Sequence, residues 1–151
     1  MTRKPITHCL ATLLEALFTP LLVQAQGPME LRAAMQDMNR NLQAAADGLS
    51  RQDWAHVAKA AALIAEHPQP SAEEKTRIIT FFGPEMGRFK GLDTETGEAA
   101  QQLARAAQDK NGKQAIAAFA QVQTGCLGCH EAFRERFISR FYAPDRLTRR
   151  D

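Results

Sequence analysis

Residues 113–140 read KQAIAAFAQVQTGCLGCHEAFRERFISR, and this stretch decides the expected fold. Side chains recur in it at alternating steps of three and four, the spacing that places them on one face of an α-helix. That repeat consists of Ile116, Phe119, Gln123, Cys126, His130, Phe133 and Phe137. Pro144 follows and stops the pattern. We therefore predict a long final helix that directs His130 into the interior of the protein.

Two further helical patterns precede it near the start of the chain. Pro28 suits the first turn of a helix and Gly48 suits its end. The apolar seam between them consists of Leu31, Met35, Met38, Leu42, Ala45 and Leu49. Ser50 is predicted to cap a second helix, which ends at the Pro-rich residues 67–70. Its inward-facing side chains are Trp54, Val57, Ala61 and Ile64.

The middle of the chain predicts a short helical turn, a loop and another long helix. Ser71 with Glu74 forms a capping box that opens the short turn, which runs to Phe82. Residues 83–93 are rich in glycine and are predicted to form the main loop. Thr94 is predicted to cap the start of the long helix, which ends near residue 112. Its inward-facing side chains are Ala99, Leu103 and Ala106.

These patterns predict an all-α fold, an antiparallel four-helix bundle formed as one domain. The 151 residues include one Trp and one Tyr and no alternating strand pattern, which argues against an all-β fold. The net charge of +2 is too small for a nucleic-acid-binding surface. The seams are rich in alanine. Because alanine side chains are small, the core has space left over, which a large prosthetic group would fill.

The first 25 residues resemble a secretory signal. Arg3 and Lys4 precede an apolar stretch, and Ala25 ends a small-residue cleavage site, which leaves residues 26–151 as the mature domain. The alternative, a membrane anchor, is disfavoured by Glu15 and Pro20 within so short a span. Cleavage removes Cys9 and leaves two cysteines in a protein that works outside the cytoplasm, in the periplasm.

Those two cysteines belong to the motif Cys126-Leu127-Gly128-Cys129-His130, a C-x-x-C-H sequence. This spacing is the attachment signature of c-type haem. The two thiols add across the two vinyl groups of one haem, and the adjacent histidine brings its imidazole to the iron. The motif predicts one covalently attached haem c near the C-terminal helix, with His130 as an iron ligand.

Three other interpretations of the motif, a dithiol redox pair, a zinc site and a disulfide, are less favourable than haem attachment. A dithiol redox pair normally starts a helix in a βαβ context, and no strands are predicted here. A zinc site needs four ligands, and the histidines available to it are His56 and His67, which we interpret as solvated helix-face residues. A disulfide between Cys126 and Cys129 would be strained inside a helix.

The motif, followed by Glu131-Ala132-Phe133-Arg134 on the last helix of a four-helix bundle, resembles the class II cytochromes c over about residues 28–142. That family comprises the cytochromes c′ and their low-spin, methionine-ligated relatives. The resemblance implies that Arg134 lies near the haem edge. Arg32 and Arg88 are further candidates to approach a haem propionate.

The resemblance also indicates which side chains are candidates for the sixth iron ligand. In cytochromes c′ an apolar side chain from the first helix leaves the iron five-coordinate, whereas in the low-spin branch a first-helix Met binds it. Residues 35–41, MQDMNRN, resemble the low-spin pattern, with Met35 on the ligand and Arg40-Asn41 on the pair that follows it. The seam alone does not choose between Met35 and Met38, and an open site stays an alternative.

The predicted function is that of a periplasmic monohaem cytochrome that carries one electron between periplasmic or membrane-bound redox proteins, not an enzyme. The alternative within the family is a five-coordinate protein that binds nitric oxide or carbon monoxide. A thiol–disulfide enzyme using Cys126 and Cys129 is a third hypothesis. A homodimer is allowed by the resemblance, and the Arg-rich C-terminal end is a candidate docking site for an acidic redox partner.

Overall fold

The structure, a computed structural model, describes residues 29–142. Within that range it contains no strand, and its helices are α1 (Glu30–Arg51), α2 (Trp54–Ala65), α3 (Ala72–Phe82), α4 (Met86–Gln108), α5 (Gly112–Cys129) and α6 (Glu135–Phe141). A 3₁₀ turn, Gly83–Glu85, joins α3 to α4. A π-helical segment, His130–Arg134, joins α5 to α6 without a break. The predicted signal peptide and its cleavage site lie outside the described residues, as does the part of the Arg-rich C-terminal end beyond residue 142.

The long helices form the predicted four-helix bundle, and the all-α prediction is confirmed. α2 packs between α1 and α4, and α4 packs against α5. The links between α1 and α2 and between α4 and α5 are only a few residues long, which makes these neighbours antiparallel. The core between them is built mostly from alanine, around the fully buried Val57 and Leu103. Alanine permits this close approach of the helices.

The starts of α2, α3 and α5 are capped by short polar side chains. Asp53 accepts a hydrogen bond from the His56 backbone, and Asn111 accepts one from Gln114. The predicted Ser71 cap is present, since its side chain accepts from the Glu74 backbone at 3.4 Å.

The predicted boundary between α1 and α2 was wrong. Ser50 is not a cap, because α1 continues to Arg51 and the Ser50 hydroxyl donates to the Ala46 carbonyl instead. Gly48 lies inside α1, where a Cβ atom would stand 2.8 Å from Val57 Cγ2. The small size of Gly48 therefore allows α2 to pack closely against α1 and does not end the helix.

The loop predicted over residues 83–93 was also wrong, since α4 begins at Met86 and Thr94 lies within it. Each of the two glycines at 87 and 91 costs a helix about 0.5–1 kcal/mol. That cost is offset because Met86, Phe89 and Leu92, at helical spacing, pack against a cluster of aromatic side chains.

The inward face of the final helix differs from the predicted one in its first half. Ile116 is 64% exposed, and Gln123 and His130 are also exposed. Ala115, Ala118 and Val122 are buried in their place, because these smaller side chains let α5 lie close to α4. Phe133 and Phe137, beyond the last turn of α5, are buried as predicted.

Candidate functional site

A cavity of about 850 Å³ lies at the end of the bundle where the π-helical segment is found. Its walls come from α1, the link that follows α2, α3, the start of α4 and the final helix. The side chains with polar or sulfur atoms that line it include Met35, His67, Asp93, Cys129, His130 and Arg134.

Aromatic side chains form much of the wall of this cavity. The Phe133 ring stands edge-on to Phe82 and Phe89, with centroid separations of 4.9 and 5.4 Å. Phe137 packs against Phe141 and Tyr142 in the same cluster. Phe133 and Phe137, predicted as walls of a haem site, both line the cavity.

The two cysteines of the C-x-x-C-H motif lie on the last turn of α5, and each is half-buried. Cys129 lines the cavity. Cys126 packs one turn earlier against the Ile64 cluster, which consists of Ile64, Ala99, Ala100 and Val122. The structure therefore brings Cys129 to the cavity wall and leaves Cys126 beside the adjoining core.

The environment of both cysteines disfavours the thiolate. Burial raises the pKa of the Cys126 thiol. Burial, together with the nearby Asp93 carboxylate, raises the pKa of Cys129 to about 11. Thiol–disulfide enzymes instead depend on a cysteine whose pKa is depressed. This electrostatic setting argues against the thiol–disulfide hypothesis.

His130 follows Cys129 at the first position of the π-helical segment and lines the cavity. The seam predicts that His130 points into the bundle, and the structure places it, exposed, on the wall of the cavity at the end of the bundle. Partial burial, and then the positive charge of Arg134, lower the pKa of His130. The neutral imidazole that results is the form that ligates a metal.

The two candidate methionines of α1 face different surroundings. Met35 is half-buried, lines the cavity and packs against the aromatic cluster. Met38 packs against the Ile64 cluster. Met86, which the sequence analysis assigned to a loop, stands at the start of α4 and also lines the cavity.

Several cationic side chains surround the cavity. Arg134 lines it, together with Arg32, Lys75 and Lys90. The Arg32 guanidinium lies 5.2 Å from the centroid of the Tyr142 ring. Arg88 lies over the Phe133 ring at 5.8 Å. A ligand with carboxylate groups would therefore find several charged partners in the cavity wall.

His67 was predicted to be solvated, and this was wrong. It is only 9% exposed and lines the cavity. The chain turns back after α2, so that His67 Nδ1 lies 3.1 Å from the Ile64 carbonyl oxygen. Sequence reasoning missed this because a helix-ending His-Pro sequence does not reveal which way its ring is turned.

The residues present fit a covalently held haem. The cavity volume lies within the range of about 300–1,000 Å³ found for cofactor and ligand sites. Two thiols stand at positions i and i+3 of one helix, next to an imidazole that favours its neutral form. Apolar rings and cations complete the wall. Among residues 29–142 no group of three or more His, Cys, Asp or Glu side chains is arranged to hold a metal ion.

A helical bundle that presents C-x-x-C-H beside such a cavity defines a c-type cytochrome. The family model described as Cytochrome C' matches residues 29–134, well over half of the chain. The chain belongs to the cytochrome c′ family, whose members contain haem and its iron. No curated protein and no solved structure matches the chain significantly. In the part of the chain that the structure describes, no helix is long and apolar enough to span a membrane.

Proposed function

We propose that the protein is a periplasmic monohaem cytochrome that carries one electron at a time, with the haem bound covalently through Cys126 and Cys129. The observation that carries this proposal is that Met35 and His130 border one cavity from different elements, α1 and the π-helical segment. A thioether from Met35 and an imidazole from His130 would together close the coordination sphere of a haem iron. A closed sphere suits an electron carrier, because its geometry changes little on electron transfer.

Each side chain has a role in this proposal. Cys126 and Cys129 form the two thioether bonds, and His130 and Met35 ligate the iron. Arg134 stabilises negative charge at the haem edge. The haem supplies one reversible electron transfer, while the protein sets ligation, burial and hydrogen bonding. Ligation by His and Met raises the reduction potential relative to ligation by anionic groups.

The leader of residues 1–25 supports secretion to the periplasm, where the partners we propose are periplasmic or membrane-bound redox proteins. The near balance of basic and acidic residues gives no reason to propose a nucleic-acid partner. A homodimer is compatible with this proposal and is tested by the oligomeric state of the purified protein.

The experiment that tests the proposal compares Met35→Ala with Met38→Ala in the haem-loaded protein. Met35→Ala is expected to open one coordination position, so that the reduced protein binds carbon monoxide. Met38→Ala is a matched control, because the same side chain is removed from α1 at a position that packs against the Ile64 cluster. Its absorption spectrum is expected to stay unchanged on addition of carbon monoxide.

The alternative function is that of a five-coordinate protein that binds nitric oxide or carbon monoxide. It predicts that the unmodified protein binds carbon monoxide as readily as Met35→Ala does. That result would contradict Met35 ligation and favour gas binding, while leaving haem attachment through Cys126 and Cys129 intact.

A further inference from the structure

His67 forms a polar site of its own in the wall of the cavity. Its side chain is 7% exposed, and its Nε2 lies 3.4 Å from Asp93 Oδ1 on α4. The Gln69 side-chain nitrogen lies 3.1 Å from the same Nε2. On the other side of the ring, Nδ1 lies 3.1 Å from the Ile64 carbonyl oxygen. Both ring nitrogens of a buried imidazole therefore have partners.

These contacts give each ring nitrogen of His67 a partner. In the neutral state Nδ1–H donates to the Ile64 carbonyl, and Nε2 accepts from the Gln69 amide. Asp93 Oδ1, 3.4 Å from Nε2, is close enough to pair with a protonated ring, provided that the Gln69 amide turns its oxygen toward Nε2–H. Leaving a buried polar group without a partner costs about 1–3 kcal/mol, and the neutral ring avoids this cost at both nitrogens.

The same carboxylate connects His67 to the haem-attachment helix. Asp93 lines the cavity, and its charge contributes to the raised pKa of the Cys129 thiol. A positive or negative charge in the cavity therefore acts on the His67–Asp93 pair at short range.

The remaining charges around this pair come from every wall of the cavity. They are Lys90 on α4, Arg32 on α1, Lys75 on α3, and His130 and Arg134 on the π-helical segment, with the Tyr142 phenol beyond α6. Among the described side chains that line the cavity, Asp93 is the one carboxylate. It is consequently the group that offsets the charge of a protonated His67 against this cationic wall.

We propose that His67, held by Asp93, is a proton-binding site coupled to the oxidation state of the haem. When a redox partner donates one electron, the charge in the cavity falls by one and a proton from water binds at His67 Nε2. On oxidation the electron leaves to the acceptor and the proton returns to water. Linkage requires the reverse as well, so that protonation of His67 favours the reduced protein by the same factor. This inference rests on the proposed haem attachment.

The test measures the midpoint potential of the haem-loaded protein by spectroelectrochemical titration between about pH 5 and pH 9, the range in which histidine titrates. The unmodified protein is expected to show a potential that falls as the pH rises. His67→Gln is expected to remove this dependence. Asp93→Asn is expected to change it, because the carboxylate beside His67 Nε2 is removed.

The matched control is His56→Gln, since His56 lies on α2 and is not part of the cavity wall described above. It is expected to keep the dependence of the unmodified protein. Persistence of the full pH dependence in His67→Gln would overturn the proposal and assign the coupling to another group, such as the haem propionates.

An NMR measurement on the unmodified protein tests the same coupling without the His67→Gln variant. The ring resonances of His67 are followed by NMR through a pH titration of the unmodified protein, once oxidised and once reduced. The expected result is a proton affinity at least about fivefold higher in the reduced state, the lower end of typical coupling between sites. Equal affinities in the two states would overturn the proposal.

This outcome is separable from that of the proposed function. Absence of covalent haem contradicts the haem attachment itself, and a high-spin spectrum contradicts Met35 ligation alone. The charge of a bound haem changes by one in either coordination state. A midpoint potential that does not change with pH, in a protein with a low-spin spectrum, therefore contradicts the proposed role of His67 alone.

Discussion

Gly125 and Thr96 lie so close together that a Cβ atom on Gly125 would overlap the Thr96 hydroxyl and stand 3.2 Å from Thr96 Cβ. Thr96 is buried, and its hydroxyl donates to the Leu92 carbonyl at 2.7 Å. Because threonine is short and branched, it cannot swing away from an added methyl group. The absence of a side chain at Gly125 thus lets α5 pack against α4 immediately before Cys126.

Gly125→Ala is expected to lower the free energy of unfolding by about 1–3 kcal/mol, the usual cost of overpacking a well-packed contact. The matched control is Gly128→Ala, because the nearest atom to its added Cβ is Leu92 Cδ2 at an ordinary 3.9 Å. Chemical denaturation of the two variants provides the measurement. Equal stabilities would show that the Thr96 contact does not constrain the packing of the two helices.

The start of α1 is held by a buried carboxylate from α3. Glu74, 2% exposed, accepts hydrogen bonds from the backbone of Glu30 and of Leu31, both at 2.8 Å. In return, the Glu30 carboxylate accepts from the Ser71 backbone at the start of α3. The two helix starts cap one another, and this fixes the end of α1 that carries Met35.

Glu74→Gln is expected to destabilise the protein by about 1–3 kcal/mol, because a hydrogen-bonded buried charge at a helix start is lost. Glu73→Gln is the control, since Glu73 is the exposed neighbour on the same turn of α3. Thermal unfolding followed by circular dichroism distinguishes them. A loss of stability in Glu73→Gln equal to that in Glu74→Gln would contradict the capping role.

The cysteines of the haem-free chain are expected to alkylate slowly, because burial raises the pKa of both thiols and thiolate is the reactive form. The rate for Cys129 should keep rising with pH towards its pKa of about 11. Iodoacetamide labelling read by mass spectrometry measures this, once circular dichroism has shown the chain to be helical. The same chain in denaturant is the control, and equal rates near pH 8 would contradict the account.

Arg134 is expected to raise the reduction potential of the haem, because a positive charge at the cavity favours the state with the extra electron. Arg134→Gln should therefore lower the midpoint potential. Arg140→Gln is the control, because this exposed arginine lies over the Phe141 ring on α6. Electrochemical titration of both variants measures the difference, and an unchanged potential in Arg134→Gln would remove Arg134 from the site.

The sequence predicted the helical class and the bundle because its apolar seams recur over several turns in each long helix. It also predicted the Ser71 cap, whose signal is local. It misplaced the start of α4, because the cost of Gly87 and Gly91 is offset by packing of Met86, Phe89 and Leu92 on distant aromatic rings. Contacts of that kind are not visible in a local pattern.

In the site too, local sequence signals were predictive, and features that depend on contacts between distant residues were not. The C-x-x-C-H motif requires only neighbouring residues, so Cys126, Cys129 and His130 could be named from the sequence. The seam could not separate Met35 from Met38, because both recur on it and only the tertiary packing sends them to different surroundings. His67 was missed because its burial depends on how the link after α2 folds against Asp93.

Ligation of the haem iron by both His130 and Met35 can be read from the absorption spectrum of the haem-loaded protein, recorded oxidised, reduced and reduced with carbon monoxide. We expect a low-spin spectrum with the weak long-wavelength sulfur-to-iron band in the oxidised state and no change on addition of carbon monoxide. A high-spin spectrum that shifts with carbon monoxide would contradict it.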